Sequence, residues 1–186
     1  MTTLDLPRPD VPQPIAVVRD FVNTIDLETE SDELTTASDL TRYLVRERLL
    51  DGSTRATTAD LDLARRLRAG LRGALEQNHD GTIEPVSGLA SALHDLSIGL
   101  DWSGSGPVLR VTAPGVRGAL ARIGLAVQQA ASDGIWWRLK ICSSEECAWA
   151  YYDHSKNRSR SWCEYGCGNK IKTRAYRARQ RAASTT

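Results

Sequence analysis

Four cysteines, Cys142, Cys147, Cys163 and Cys167, are the only thiols of the 186-residue chain, and all fall within one short window. They form two pairs, C-x4-C and C-x3-C, with fifteen residues between them. Zinc takes thiolates tetrahedrally, and two closely spaced pairs separated by a loop of this size can close around one ion. Four thiolates fill the coordination shell, so the spacing predicts one structural Zn2+ per chain and no open catalytic position. Two disulfides, with three possible connectivities, are the competing reading. A redox role is weaker, because neither pair is C-x-x-C.

The segments WWRLKIC before the first pair and AWAYYD after it have strand character, which suggests a knuckle at the tip of a hairpin. Next comes His154-Ser155-Lys156-Asn157-Arg158-Ser159-Arg160-Ser161-Trp162, where cations alternate with small hydrogen-bonding residues suited to phosphate oxygens. A solvated surface loop is the bland reading of the same string. Gly168 is expected to supply the positive φ of the second knuckle. Asn169 is expected to N-cap a helix starting at Lys170. On that helix Ile171, Ala175, Ala178 and Ala182 form one stripe and Lys170, Arg174, Arg177 and Arg181 another, so one side can dock while the other stays cationic. The candidate nucleic-acid contacts are therefore Lys156, Arg158, Arg160, Lys170, Arg174, Arg177 and Arg181, with double-stranded DNA as partner.

Net charge is only +1, but it is unevenly spread. Residues 138–186 carry eleven Lys/Arg against four Asp/Glu, and the remainder thirteen against nineteen. A basic end on an acidic body is the asymmetry of a chain whose end meets a polyanion. No apolar run approaches the ~20 residues needed to span a bilayer. The N-terminal residues lack a secretory signal. A cytoplasmic location follows, which favours metal over disulfides.

The elements that must carry this site are mostly helical. Apolar residues recur at helical spacing over 15–27, and ETESDE (28–33) reads as a solvated loop. Thr36 with Asp39 resembles a capping box, and Thr57/Thr58 open a longer helix through Leu75. On that helix Arg65, Arg66, Arg68 and Arg72 read as a solvated face. A short helix over 88–96, a hairpin either side of Ser103-Gly104-Ser105-Gly106, and a helix over 115–132 complete the body. The predicted class is α+β, mostly helical, in three parts: a disordered lead-in (1–14), a helical body (15–137) and a zinc module with its basic helix (138–182). The zinc module is expected to unfold separately from the body when the metal is removed. No nucleophile elbow, Walker loop or HExxH is present, and His79, His94 and His154 read as surface residues, so no catalytic residue is assigned. Asp20 and Asn23, three apart on one helix face, are the candidate small-molecule ligands. A capping or inter-helix hydrogen bond is the simpler role for them.

The run from Cys142 to Arg181, with CGNK at its second knuckle, resembles the CGNR zinc-finger family. DFVNT (20–24), LTTASDLTRYL (34–44) and ADLDLARRLRAGL (59–71) resemble the ABATE domain of stress-induced transcription regulators. The resemblance implies a bacterial DNA-binding regulator whose body (15–137) is ligand-sensing, with a small-molecule effector and a homodimer among its partners. Lys170 stands where the family's name calls for Arg, and exchanging a planar fork for a point charge is not conservative. The alternatives are a biosynthetic small-molecule-binding protein or enzyme with structural zinc, and a protein-interaction module.

Overall fold

The computed structural model describes residues 11–183; the first ten residues of the expected lead-in lie outside them. Val11 is already buried against the core.

Among the described residues, six α-helices and three separate antiparallel hairpins form the fold, confirming the α+β, mostly helical class. Helix α1 (Ile15–Val22) buries Ile15, Val18, Phe21 and Val22. It is shorter than its apolar repeat, because Ile25–Asp26 turns out as strand β1, paired with β2 (Ser31–Asp32). The acidic stretch is thus partly a hairpin. Helix α2 (Ala37–Arg46) opens on a capping box between Thr36 and Asp39. Helix α3 (Thr58–Asp80) opens on a second, between Thr57 and Asp60. These boxes satisfy orphan N–H groups at each start, each worth about 1 kcal/mol.

Helix α3 is the axis of the molecule. Leu63, Leu67, Leu71 and Leu75, spaced by four, are fully buried in one line. Helix α4 (Leu89–His94), the hairpin β3 (Ile98–Ser103) with β4 (Gly106–Val111), and helix α5 (Gly115–Ser132) follow, and α5 adds Leu120 and Ile123 to the same core. A 3-10 turn (Trp136–Arg138) then leads into β5 (Leu139–Ile141), which pairs with β6 (Ala150–Tyr152) in the register Ile141↔Ala150.

Leu139, Ile141, Ala150 and Tyr152 belong to the main core rather than to a core of their own. The hairpin of the expected zinc module lies against α1 and α3, while Cys142, Cys147, Tyr151, Cys163 and Cys167 form a second cluster of their own. Helix α6 (Cys167–Ala183) closes the described chain. Among the described residues no helix is long and apolar enough to cross a membrane.

Candidate metal centre and nucleic-acid interface

The short strands β5 and β6 bring Cys142 and Cys147 to one hairpin tip, and the loop after β6 returns Cys163 and Cys167 to it. All four thiols are buried, and their sulfurs lie within 4.8 Å of one another. Cys163 Sγ is 3.7 Å from both Cys147 Sγ and Cys167 Sγ. Four sulfurs at the usual Zn–S distance stand about 3.8 Å apart around a tetrahedron. The residues thus fit one structural zinc ion.

Backbone N–H groups two residues on point back at three of the sulfurs: Ser144 at Cys142, Trp149 at Cys147 and Tyr165 at Cys163. Tight turns of this kind need unusual dihedrals. Ala148 supplies one (φ 42°) and Gly166 the other (φ 85°). Gly166, not Gly168, is thus the knuckle glycine. Gly168 lies within α6, where a Cβ would come 3.2 Å from the Trp162 ring; its lack of a side chain lets that indole lie on the helix. Asn169 likewise sits inside the first turn, since the helix already begins at Cys167. The ligand Cys167 therefore occupies a helix N-terminus.

Without a cation the four thiols cannot share charge equally. Hydrogen bonds from Cys147 and Cys163 hold Cys142 far below the usual thiol range. The same bonds push Cys147 and Cys163 up. A dication removes the conflict by taking the place of the shared protons.

Residues of the body hold the hairpin on the side facing the core. Asn23 donates to the Ala150 carbonyl and accepts from its N–H, both at 2.8 Å. Asn78 donates to the carbonyls of Trp136 (3.1 Å) and Leu139 (3.0 Å). Arg72 donates to the Ala148 carbonyl at 2.8 Å. His79 Nε2 lies 2.8 Å from Ser143 Oγ. That hydroxyl donates to the Ser161 carbonyl at 2.8 Å, so it accepts from the imidazole. His79 is thus part of the centre's support rather than a surface residue. Of the arginines of α3, Arg65 and Arg66 are exposed, as a solvated face requires, while Arg68 is buried and Arg72 half-buried. Arg65 donates to the Leu34 and Thr35 carbonyls, Arg66 pairs with Asp95, and Arg68 grips Asp32 through both nitrogens at 2.6 and 2.7 Å.

The loop between the cysteine pairs is also anchored. Lys140, on a buried strand, pairs at 2.9 Å with Asp153, which is fully buried. Asp153 loses solvation, yet its carboxyl stays below the usual range because Ser155 and Lys140 hydrogen-bond to it. Lys140 also donates to the Arg158 carbonyl. Arg160 donates to the Trp162 carbonyl at 2.6 Å and lies over the Tyr151 ring, leaving it half-buried. Of the loop cations, Lys156 and Arg158 are the exposed ones.

Beyond its first turn α6 stands away from the fold. Ile171 is half-buried, but Ala175 and Ala178 are exposed, so the docking stripe is engaged only at its first member; the Ala182 side chain lies outside the described residues. Lys170, Arg174, Arg177 and Arg181 are exposed on the other stripe. Lys170 reaches Glu28, on the β1–β2 turn, at 3.1 Å. Arg174 takes both oxygens of Glu146 at 2.9 and 3.2 Å.

Asp20 and Asn23 have structural roles. Both polar atoms of the Asn23 amide are occupied by Ala150, and Asp20 pairs with Arg19 at 2.9 Å. Sequence reasoning missed Arg72, Asn78 and His79 as supports of the centre. The one local signal was a lysine flanked by Leu139 and Ile141 in a strand, which marks a buried charge in need of a partner.

Fold and site together define a zinc-finger protein whose metal knuckle has its own small cluster and is joined to the core of a helical body by the β5–β6 hairpin. Residues 138–180 match the CGNR zinc finger. Residues 16–135 match the ABATE family, described as "Putative stress-induced transcription regulator". The chain belongs to that family, in the order body then finger, and is a regulatory zinc-binding protein. A search among curated proteins gives no match.

Proposed function

We propose that the chain is a zinc-dependent, DNA-binding transcriptional regulator in which Cys142, Cys147, Cys163 and Cys167 hold the ion and α6 meets double-stranded DNA. The observation that carries this reading is the state of α6. Its N-terminus is fixed at the metal centre, and from Lys172 to Arg181 it is exposed throughout. It bears Lys170, Lys172, Arg174, Arg177, Arg179 and Arg181 and no acidic residue. A cationic helix held rigidly at one end presents several guanidinium groups to phosphates and groove edges at once. Lys156 and Arg158 extend the cationic surface beside it.

Selection from random duplex DNA, followed by affinity measurements against salt with and without chelator, tests the reading. Binding should be lost on chelation, and log K should fall with log salt by about 0.9 per phosphate contacted. Salt-insensitive binding, or none, would transfer the assignment to a protein or small-molecule partner.

A small-molecule effector is the second reading, supported by a cleft of about 700 Å³ between α5 and the β3–β4 hairpin. Leu100, Leu109 and Leu125 form apolar walls there, and Arg122 and Gln129 are polar groups at hand. A cleft of this size and lining suits an organic ligand. Asp20 and Asn23 do not line it.

A further inference from the structure

We infer that Arg72 of helix α3 belongs to the metal centre: its half-buried guanidinium is the counter-cation of the zinc–tetrathiolate group and holds the first knuckle through Ala148.

Two observations meet at this side chain. Arg72 Nη2 donates to the carbonyl of Ala148 at 2.8 Å, and Ala148 is the left-handed residue directly after the ligand Cys147. Its other terminal nitrogen, Nη1, is buried and has no hydrogen-bond partner. Guanidinium remains protonated in proteins, so this is a charge largely withdrawn from water at Nη1. Buried charges are tolerated when an opposite charge compensates them.

The side chains around Arg72 do not supply that charge as a contact. Among the described residues no carboxylate lies within ion-pair distance of it. Glu76, one turn on, is exposed, and Arg68, one turn back, is occupied by Asp32. Burial draws the Arg72 pKa down, and the negative fields of Glu76 and Cys147 oppose it. A dication with four thiolates carries net charge −2. That group lies next to the residue Arg72 holds, so it is the anion that offsets the half-buried cation. Outer partners of this kind orient ligands and tune a metal site.

Arg72 is a positioning residue, and its test separates charge from structure. Zinc affinity is measured by competition with a chromophoric chelator in wild type, Arg72→Gln and Arg72→Lys. Thiolate reactivity is measured by alkylation at saturating zinc, with Arg66→Gln, which removes an exposed cation of the same helix that pairs with Asp95, as the control. Arg72→Gln should bind zinc roughly 10–100-fold more weakly and alkylate faster than wild type. Arg72→Lys should recover most of the affinity, and Arg66→Gln should alkylate at the wild-type rate. Wild-type zinc affinity and alkylation in Arg72→Gln would overturn the assignment. So would a folded Arg72→Lys as weak as Arg72→Gln, since charge would then not be what matters. Should Arg72→Gln not fold, Arg72→Lys alone decides: near-wild-type affinity and alkylation support the countercharge, and weakened zinc binding overturns it.

Discussion

The carboxamide of Asn23 treats Ala150 as a neighbouring strand would, taking its N–H and giving to its carbonyl, each at 2.8 Å. A side chain of the first helix thereby completes the outer edge of β6, 127 residues later. Asn23→Ala orphans both backbone groups in a half-buried place, at a cost of about 1–3 kcal/mol per group. Asn23→Asp keeps the acceptor but sets a carboxylate against the Ala150 carbonyl, and should be at least as damaging. Denaturant unfolding at saturating zinc measures both. A change below about 0.5 kcal/mol, the usual range of surface substitutions, would mean the bracket carries no stability.

Chelation should disturb the body as well as the finger. Leu139, Ile141, Ala150 and Tyr152 share the core of α1 and α3, and Arg72, Asn78 and His79 hold the knuckle from α3. Removing the ion should therefore lower protection of α3 amides around Leu71 and Leu75 together with that of β5 and β6, in one transition. Hydrogen exchange with and without chelator reads this directly. Unchanged α3 protection beside a melted hairpin would restore the picture of two independent modules.

What the chain discloses locally was legible, and what depends on distant partners was not. The capping boxes at Thr36 and Thr57 and the bounds of α5 follow from signals within a few residues. Cysteine spacing likewise revealed the metal cluster, since ligand pairs are short-range patterns. The supports of that cluster join positions 23 to 150 and 72 to 148, and no local period links such residues. Arg72 therefore read as part of a solvated face, while the fold turned it inward. Knuckle geometry was missed by two residues, because Gly166 and Gly168 differ only in which one meets the turn and which meets Trp162.

Acid should loosen the β1–β2 hairpin. Two-pronged hydrogen bonding from Arg68 holds the Asp32 carboxyl below its ordinary value, outweighing the opposing effect of burial. A depressed carboxyl contributes stability that is complete above its unfolded pKa, near 3.8. That stability is lost as pH falls through the lower folded value. Asp32→Asn lacks this contribution at every pH and leaves Arg68 buried without a counter-ion, costing about 3 kcal/mol near neutrality. The gap between wild type and Asp32→Asn should be constant above about pH 5 and narrow progressively below about pH 4. A gap as wide at pH 3 as at pH 5 would show that the Arg68–Asp32 charge interaction is not its source.

Two of the cations of α6 already face acids of the same chain. Lys170–Glu28 and Arg174–Glu146 are exposed at both ends, 56%/55% and 66%/67%. Pairs this open contribute little and are screened by salt. A phosphate can therefore displace either carboxylate at little cost, but the acid still repels the approaching backbone. Glu146→Gln should raise affinity for all duplexes a few-fold at low salt, and the gain should fade as salt rises. Arg174→Ala acts differently if Arg174, one turn into the helix, meets a guanine edge. It should then cost roughly 1–3 kcal/mol on the selected site and relax specificity there. Lys156→Ala, on the loop, should weaken cognate and scrambled duplexes alike and reduce the salt slope by about one. Fluorescence anisotropy of each variant against salt, on both duplexes, separates these outcomes. Equal loss on both duplexes for Arg174→Ala would make it a phosphate contact. No effect from any of the three substitutions would remove this face of α6 from the DNA interface.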